Sequence, residues 1–373
     1  MNARANITVC MIVRDEERQI GACLESIRDH VEEIVVVDTG SVDKTRQIAA
    51  KFADRLEVYL GCNDPETGLI EDFSDARNFS FSLATKRWTM WVDGDDEVVG
   101  ADKLKSLTDH FDNVSPLIPT CIQLPYHYAH DEFGNTTCLH RRERIVRPRE
   151  AFEWSYPVHE LLTPVTTVSM ARVNEIKVIH KKSWSSEPGR NLRILESAND
   201  GSARSLFYLG LEYGSVGRIH DSIRTLNEYI SVSGWDDEKC VALLRLVDMY
   251  HRLGSWDEAE DAASMAVSLK GEWSEPLFAL GRTYHLMASA GINPAVNWRR
   301  SVDRIMEGLQ KPPTETPLSV NLAERSIDIH RFLNVSMGQI GDIKGALWSV
   351  REALLSSPGD ENLLHNEKVY ESQ

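Results

Sequence analysis

Apolar residues in the first hundred positions follow two alternating rhythms. Short unbroken runs, ITVCMIV (7–13), EIVVVD (33–38), LEVYL (56–60) and WTMWV (88–92), read as strands buried on both faces. The segments between them carry apolar residues at helical spacing. DEERQIGACLESIRDH offers Ile20, Cys23, Leu24 and Ile27 as one stripe, and SVDKTRQIAAKFAD puts Ile48, Ala49 and Phe52 on one face. Ser41 is the expected N-cap of that second helix, and Ser74 of a third in FSDARNFSFSLAT. Strand–helix alternation at this spacing predicts βαβ units and a mainly parallel sheet. Residues 101–180 are less regular. LIPTCIQLPYHYAHDEFGNTTCLHRRERIVR predicts two or three strands turning at FGN, as a mixed extension of the sheet.

After the break SWSSEPGR the pattern turns wholly helical. LFYLGLEYGSVGR, LLRLVDMYHRLGS and LFALGRTYHLMAS repeat one another, aligning Leu206, Leu243 and Leu277; Phe207, Leu244 and Phe278; Leu209, Leu246 and Leu280; and Tyr213, Tyr250 and Tyr284. WDEAEDAASMAVSL supplies a second helix, and residues 341–360 repeat that second-helix pattern. GINPAVNWRRSVDRIMEGLQKPPTETP is expected to interrupt the array. The whole resembles tetratricopeptide repeats, whose helix pairs bury their faces by stacking on neighbours. Two domains are expected, 1–185 and 186–373, the first α/β and the second all-α.

A net charge of −16 disfavours a nucleic-acid binder as the first reading. One stretch runs against it: RRERIVRPR (141–149) has five arginines, either on a solvated strand edge or contacting phosphate or nucleic acid. There is no apolar run long enough to span a membrane, and the first ten residues lack an apolar signal core. Six scattered cysteines without metal-ligand spacing read as reduced thiols. The expected location is the cytoplasm.

The chemistry gathers where the strands end. In parallel α/β sheets ligands bind beyond the carboxyl ends of the strands. The polar groups following each strand are Arg14, Asp38, the loop 61–74, and Asp93 with Asp95. Hard carboxylate oxygens at such an edge suit Mg²⁺ or Mn²⁺, which bind few protein carboxylates and share the remaining positions with substrate phosphates. That makes a nucleoside diphosphate conjugate the expected substrate class. Asp96 and Glu97 read as charges introducing a helix, although either Asp95 or Asp96 could be the principal ligand. Asp38 could instead cap the turn Thr39-Gly40-Ser41, Arg77 could be a surface helix residue, and His159 and His180 could be structural.

ITVCMIVRDEERQIGACLESI, EEIVVVDTGSVDKTRQIA, DFSDARNFSFSLA and WTMWVDGDDEV, with FEWSYPVHELL and KVIH further on, resemble the successive motifs of family 2 glycosyltransferases of the GT-A (Rossmann-like) fold. Some members of that family carry tetratricopeptide-like repeats after the catalytic domain. The resemblance implies an inverting transferase using a nucleotide-sugar donor, UDP-glucose or UDP-N-acetylglucosamine, with a divalent metal, Mn²⁺ or Mg²⁺. It implies that Val13 and Arg14 line the nucleotide pocket, that Asp38 bonds the base, and that Arg77 faces the nucleotide with Asn78 supporting its loop. Asp93 would lie near the ribose or metal, Asp95 would ligate the metal, and His180 would be a further ligand. Glu160 is the implied general base, with His159 beside it. The acceptor stays open among protein, peptide, glycan and modified DNA base, and the repeats could bind a protein partner. From a different class, the chain could be a repeat-based adaptor with a non-catalytic nucleotide module.

Overall fold

The computed structural model describes residues 3–114, 118–132, 134–181, 187, 189–314, 316, 318 and 320–373. The chain divides into two compact units, Met1–Ala129 with Leu139–Ala198, and His130–Cys138 with Asn199–Gln373. The boundary expected at 185/186 falls on residues 182–186, which lie outside the described residues.

The first unit opens with β1 (Ala5–Val13), α1 (Ile20–Ile27), β2 (Val31–Asp38), α2 (Thr45–Ala49), β3 (Arg55–Val58), α3 (Phe73–Ser82) and β4 (Trp88–Trp91). β1 pairs in parallel with β2 and β4, and β2 with β3. The chain continues through β5 (Asp96–Val99), α4 (Leu104–Val114), β6 (Thr120–His130) and β7 (Thr136–Arg147). Then come β8 (Phe152–Ser155), β9 (Leu161–Pro164), β10 (Ser169–Arg172), β11 (Lys177–His180) and α5 (Arg190–Ala198). The strand order is β3-β2-β1-β4-β7-β6-β11-β5. The sheet is therefore mixed: parallel in its first half, with β7 antiparallel to β4 and β5 antiparallel to β11. Alternate residues of β1 enter two cores. Ile7, Val9 and Met11 pack with α1, while Cys10 lies on the other face with Phe81, Trp91 and Trp154. Burial on both faces explains why the strand is unbroken in apolar character.

Three local expectations are corrected. α2 begins at Thr45, because Ser41 is engaged elsewhere: its N–H donates to Asp38 and its hydroxyl accepts the Asp15 N–H. Asp72, not Ser74, caps α3; its Oδ1 accepts the Asp75 N–H at 3.1 Å and the Ser74 hydroxyl at 2.6 Å. Asp96 and Glu97 do not introduce a helix but lie on β5. The strand expected at 56–60 is β3, at the sheet edge, and it stays half-exposed because no strand among the described residues pairs with its outer side. Of the turn expected at FGN, Phe133 is outside the described residues, while Gly134 adopts φ +84° between β6 and β7.

The second unit stacks helix pairs: α6 (Ala203–Ser215) with α7 (Ile219–Val232), α8 (Asp236–Leu253) with α9 (Trp256–Leu269), and α10 (Glu275–Ser289) with α11 (Pro294–Leu309). α12 (Ile329–Gln339), α13 (Ile343–Ser356) and α14 (Glu361–Glu371) complete it. The aligned residues Leu206, Leu243 and Leu277 are all buried core, as are Leu209, Leu246 and Leu280. The segment expected to break the array forms α11 instead, the partner helix of α10. A Cβ on Gly281 would lie 2.6 Å from Ile305 Cγ1 of α11, so only glycine permits that approach. The equivalent Gly210 faces Leu226 of α7 in the same way. In the middle pair the position is Val247, and α9 supplies the small residues Ala259, Ala262, Ala263 and Ala266.

One acid in this unit gives a pH prediction. Burial, reinforced by Glu275, Asp248 and Asp328 and opposed by Arg282, raises the Glu324 carboxyl to about 7. A folded-state pKa above the unfolded value means that the native state holds more protons between the two. Stability is therefore expected to fall as pH rises from about 4.5 to about 7. Urea titrations at pH 5 and pH 8 measure it. Glu324→Gln should flatten that slope, and an unchanged slope would refute the assignment.

Candidate active site at the carboxyl edge of the sheet

β1 and β2 are in parallel register with Val13 opposite Asp38, so the residues after both strands meet at one edge. Asp38 is wholly buried. Its Oδ1 accepts the N–H groups of Gly40 (3.0 Å) and Ser41 (2.9 Å), which is the turn-capping arrangement. Its Oδ2 is buried with no hydrogen-bond partner among the described residues. Buried carboxylate oxygens are seldom left so, and this one is open to an added N–H or O–H donor. Arg14, next after β1, donates to the Gly68 carbonyl at 2.8 Å and so ties the loop 61–74 to this edge.

Arg77 is no surface residue. One turn into α3, it is buried against the edge-to-face pair of Trp91 and Trp154, 4.8 and 4.9 Å from their ring centres. Its Nε donates to Glu160 Oε1 at 2.6 Å and its Nη2 to Asp93 Oδ1 at 2.8 Å. Burial alone would lower its pKa, but the two carboxylates raise it, so the cation is firmly held. Asn78, one residue on, clamps the β8 backbone. Its Nδ2 donates to the Trp154 carbonyl (2.8 Å), and the Trp154 N–H donates to its Oδ1 (2.9 Å). The turn after β8 is tight, with Tyr156 at φ +74° and His159 at φ +52°, values that non-glycine residues seldom adopt. Glu160 leaves this turn with Oε1 on Arg77 and its carbonyl accepting from Arg142 at 3.1 Å.

The opening of β5 lies beside the end of β11, where Asp96 pairs with His180. Ligand atoms of Asp95, Asp96 and His180 lie within 4.8 Å of one another. His180 Nδ1 is 3.5 Å from Asp95 Oδ1 and 3.7 Å from Asp96 Oδ1, and its ring stacks on Tyr128, 5.0 Å between centres. Burial would lower the His180 pKa, yet the carboxylates of Asp95 and Asp96 beside it raise it to about 10. Burial, with Asp93 and Asp96 nearby, raises Asp95 despite His180. A cation is what this pocket of negative charge favours, and one carboxylate with an imidazole fits a divalent metal, Mn²⁺ better than Mg²⁺.

The three aspartates have different partners. Asp93, expected near the metal, pairs with Arg77 and falls outside the cluster of possible ligands. Asp96 enters that cluster but is already occupied. Its Oδ1 accepts from the Tyr126 hydroxyl (3.0 Å), and its Oδ2 from Arg144 Nη1 (3.1 Å) and the Asp93 N–H (3.2 Å). That leaves Asp95 and His180 with ligand atoms to offer, and Asp96 as the group behind them.

The five arginines of 141–149 are divided between the interior and a half-buried edge. Arg141 donates to Asn174 and to the Val173 carbonyl, Arg142 to Glu160, Arg147 to Asp112, and Arg149 to the Ala84 carbonyl. Arg144 is fully buried on Asp96, its guanidinium 3.6 Å from the centre of the Trp91 ring. Arg144 and Arg147 are thus buried counter-ions of Asp96 and Asp112, while Arg141, Arg142 and Arg149, half-buried, donate to an amide and to backbone carbonyls. Arg144, Tyr126 and Tyr128 are the residues that sequence reasoning missed. Alternation in LPYHYAH, which puts both tyrosines on one face of a strand, is the signal that could have found them.

Residues 8–164 match the family described as Glycosyl transferase family 2. These residues form a family 2 glycosyltransferase domain. Among curated proteins, a TPR repeat-containing protein of Synechococcus elongatus is 32% identical over 167 residues, covering 43% of this chain and 36% of that protein. The SPbeta prophage-derived glycosyltransferase SunS of Bacillus subtilis is 33% identical over 94 residues, covering 24% of this chain and 20% of SunS. The matches thus span about a third or less of those relatives' lengths. The crystal structure of YrrB, a TPR protein with an unusual peptide-binding site, is similar at 15% identity and a TM-score of 0.34, over 48% of this chain and 81% of YrrB. No helix among the described residues is long and apolar enough to cross a membrane.

Proposed function

We propose that the family 2 domain transfers a hexose, with inversion, from a UDP-linked donor to an acceptor nucleophile in a reaction that requires Mn²⁺ or Mg²⁺. The observation that carries this reading is the meeting, at one sheet edge, of the Asp95–His180 pair with the Arg77-held Glu160. Asp38 Oδ2 accepts the imide N–H of uracil, and Val13 and Arg14 border the base. Asp95 and His180 hold the ion, which when bound offsets the charge gathering on the departing diphosphate. Glu160 takes the acceptor's proton. Arg77 fixes its Oε1, and Oε2, without a partner among the described residues, is left to accept. Arg77 also holds Asp93 away from the ion and beside the ribose. UDP-glucose and UDP-N-acetylglucosamine are the first donors to test.

The stacked helix pairs offer a continuous surface for a protein partner or a protein acceptor. Six cysteines free of disulfides suit a reducing compartment such as the cytoplasm.

A thermal-shift panel of nucleotide sugars, each with and without Mn²⁺, tests the donor and metal together. A ligand at a hundred times its Kd should stabilise by about 2.7 kcal/mol. The expected result is a shift from UDP-sugars that needs the metal. Equal shifts without metal would remove the ion from the reading, and no shift from any nucleotide sugar would remove the donor.

A further inference from the structure

Helix α5 lies beyond the residues matched by the family, yet it is seated against the same edge. Its Arg193 donates from Nη2 to the Ile70 carbonyl at 3.0 Å. Phe73, at the start of α3, donates its N–H to the Pro157 carbonyl at 2.8 Å. α5 therefore sits where the loop 61–74 meets the turn that presents Glu160. Arg190, its first residue, lays its guanidinium over the Phe73 ring, 4.9 Å from the centre.

The other arginines here are committed. Arg77 holds Asp93 and Glu160, Arg14 donates to Gly68, and Arg142 donates from Nη2 to Glu160. Arg190 donates only from Nε, to its neighbour Asn191 at 3.3 Å, and its terminal nitrogens donate to no described residue. Burial lowers its pKa in spite of the charges of Glu187, Glu160 and Glu16 around it. A half-buried guanidinium with both Nη groups open among the described residues, at the mouth of a site for a nucleoside diphosphate, can donate to an anion with paired oxygens.

We propose that Arg190 binds the phosphate groups of the nucleoside diphosphate donor, so that α5 completes the donor site from outside the family 2 segment. This rests on the nucleotide-sugar reading above. Phosphate oxygens match the planar fork of arginine, and of the four only Arg190 has both Nη groups without a partner among the described residues.

The test compares UDP and GDP with uridine and guanosine, titrated calorimetrically into the full chain with Mn²⁺. Arg190→Met should weaken diphosphate binding by about ten- to a hundredfold, as expected for a charge-assisted hydrogen bond, and leave nucleoside binding unchanged. Arg190→Lys should recover part of the loss, because the charge returns without the fork. It also carries the test if the methionine variant does not fold. Undiminished diphosphate affinity, or equal loss for diphosphate and nucleoside, overturns the assignment. A wild-type chain that binds no diphosphate more tightly than its nucleoside overturns the nucleotide-sugar reading, and this proposal with it.

Discussion

Asp96→Asn is expected to destabilise the protein by about 3–5 kcal/mol, and Asp95→Asn by less than about 1 kcal/mol, although the two are neighbours in sequence. Asp96 and Arg144 are both fully buried, and the carboxylate is the only ion-pair partner Arg144 has among the described residues. An amide in its place leaves a guanidinium enclosed by Trp91 and Tyr126 without a counter-charge. Asp95 is different. Burial already disfavours its charge, so neutralising it relieves repulsion from Asp93 and Asp96 while giving up the attraction of His180. Urea unfolding of both variants measures the contrast. Added Mn²⁺ and UDP should stabilise wild type but not Asp95→Asn, since an amide lacks the anionic oxygen that a hard cation shares with a diphosphate. Equal destabilisation by the two substitutions would contradict the division of labour, and full ligand stabilisation of Asp95→Asn would move the metal elsewhere.

Glu160→Gln should cost about 10²–10⁴-fold in turnover while leaving UDP and metal affinity near wild type. The amide oxygen can still accept from Arg77 Nε, so the side chain keeps its place, and Asp93 remains to balance the guanidinium. What is lost is the ability to take a proton from the acceptor. Steady-state kinetics with UDP titration separates the two effects. Transfer at the wild-type rate would require another base. A parallel loss of UDP binding would instead make Glu160 a positioning group for Arg77 and Asp93.

Both predictions depend on pairings that cross long stretches of chain, and this divides what was legible early from what was not. The alternation of unbroken apolar runs with helical stripes determined the parallel half of the sheet, because strand and helix periods are properties of contiguous segments. Given a parallel sheet, the groups after β1, β2 and β4 have to share one edge, so topology alone brings Arg14, Asp38, Asp93 and Asp95 together. Repetition of Leu206, Leu243 and Leu277 likewise determined the stacked helix pairs, since each copy exposes an apolar face that only a neighbour can cover. Local competition was read less well. Asp72 displaced Ser74 as a cap, and Asp38 drew Ser41 out of the second helix, because several short polar side chains were within reach of the same N–H groups. The assignment of charges was decided by tertiary structure alone. Arg77 and Glu160 are 83 positions apart, and Arg144 and Asp96 are 48 apart. Which acid each arginine neutralises follows from the register of β4, β7 and β5 and from burial, which makes an unpaired charge costly. A run of five arginines looks like a surface in one dimension; folded, it sends Arg144 inside to neutralise Asp96 and Arg147 to neutralise Asp112.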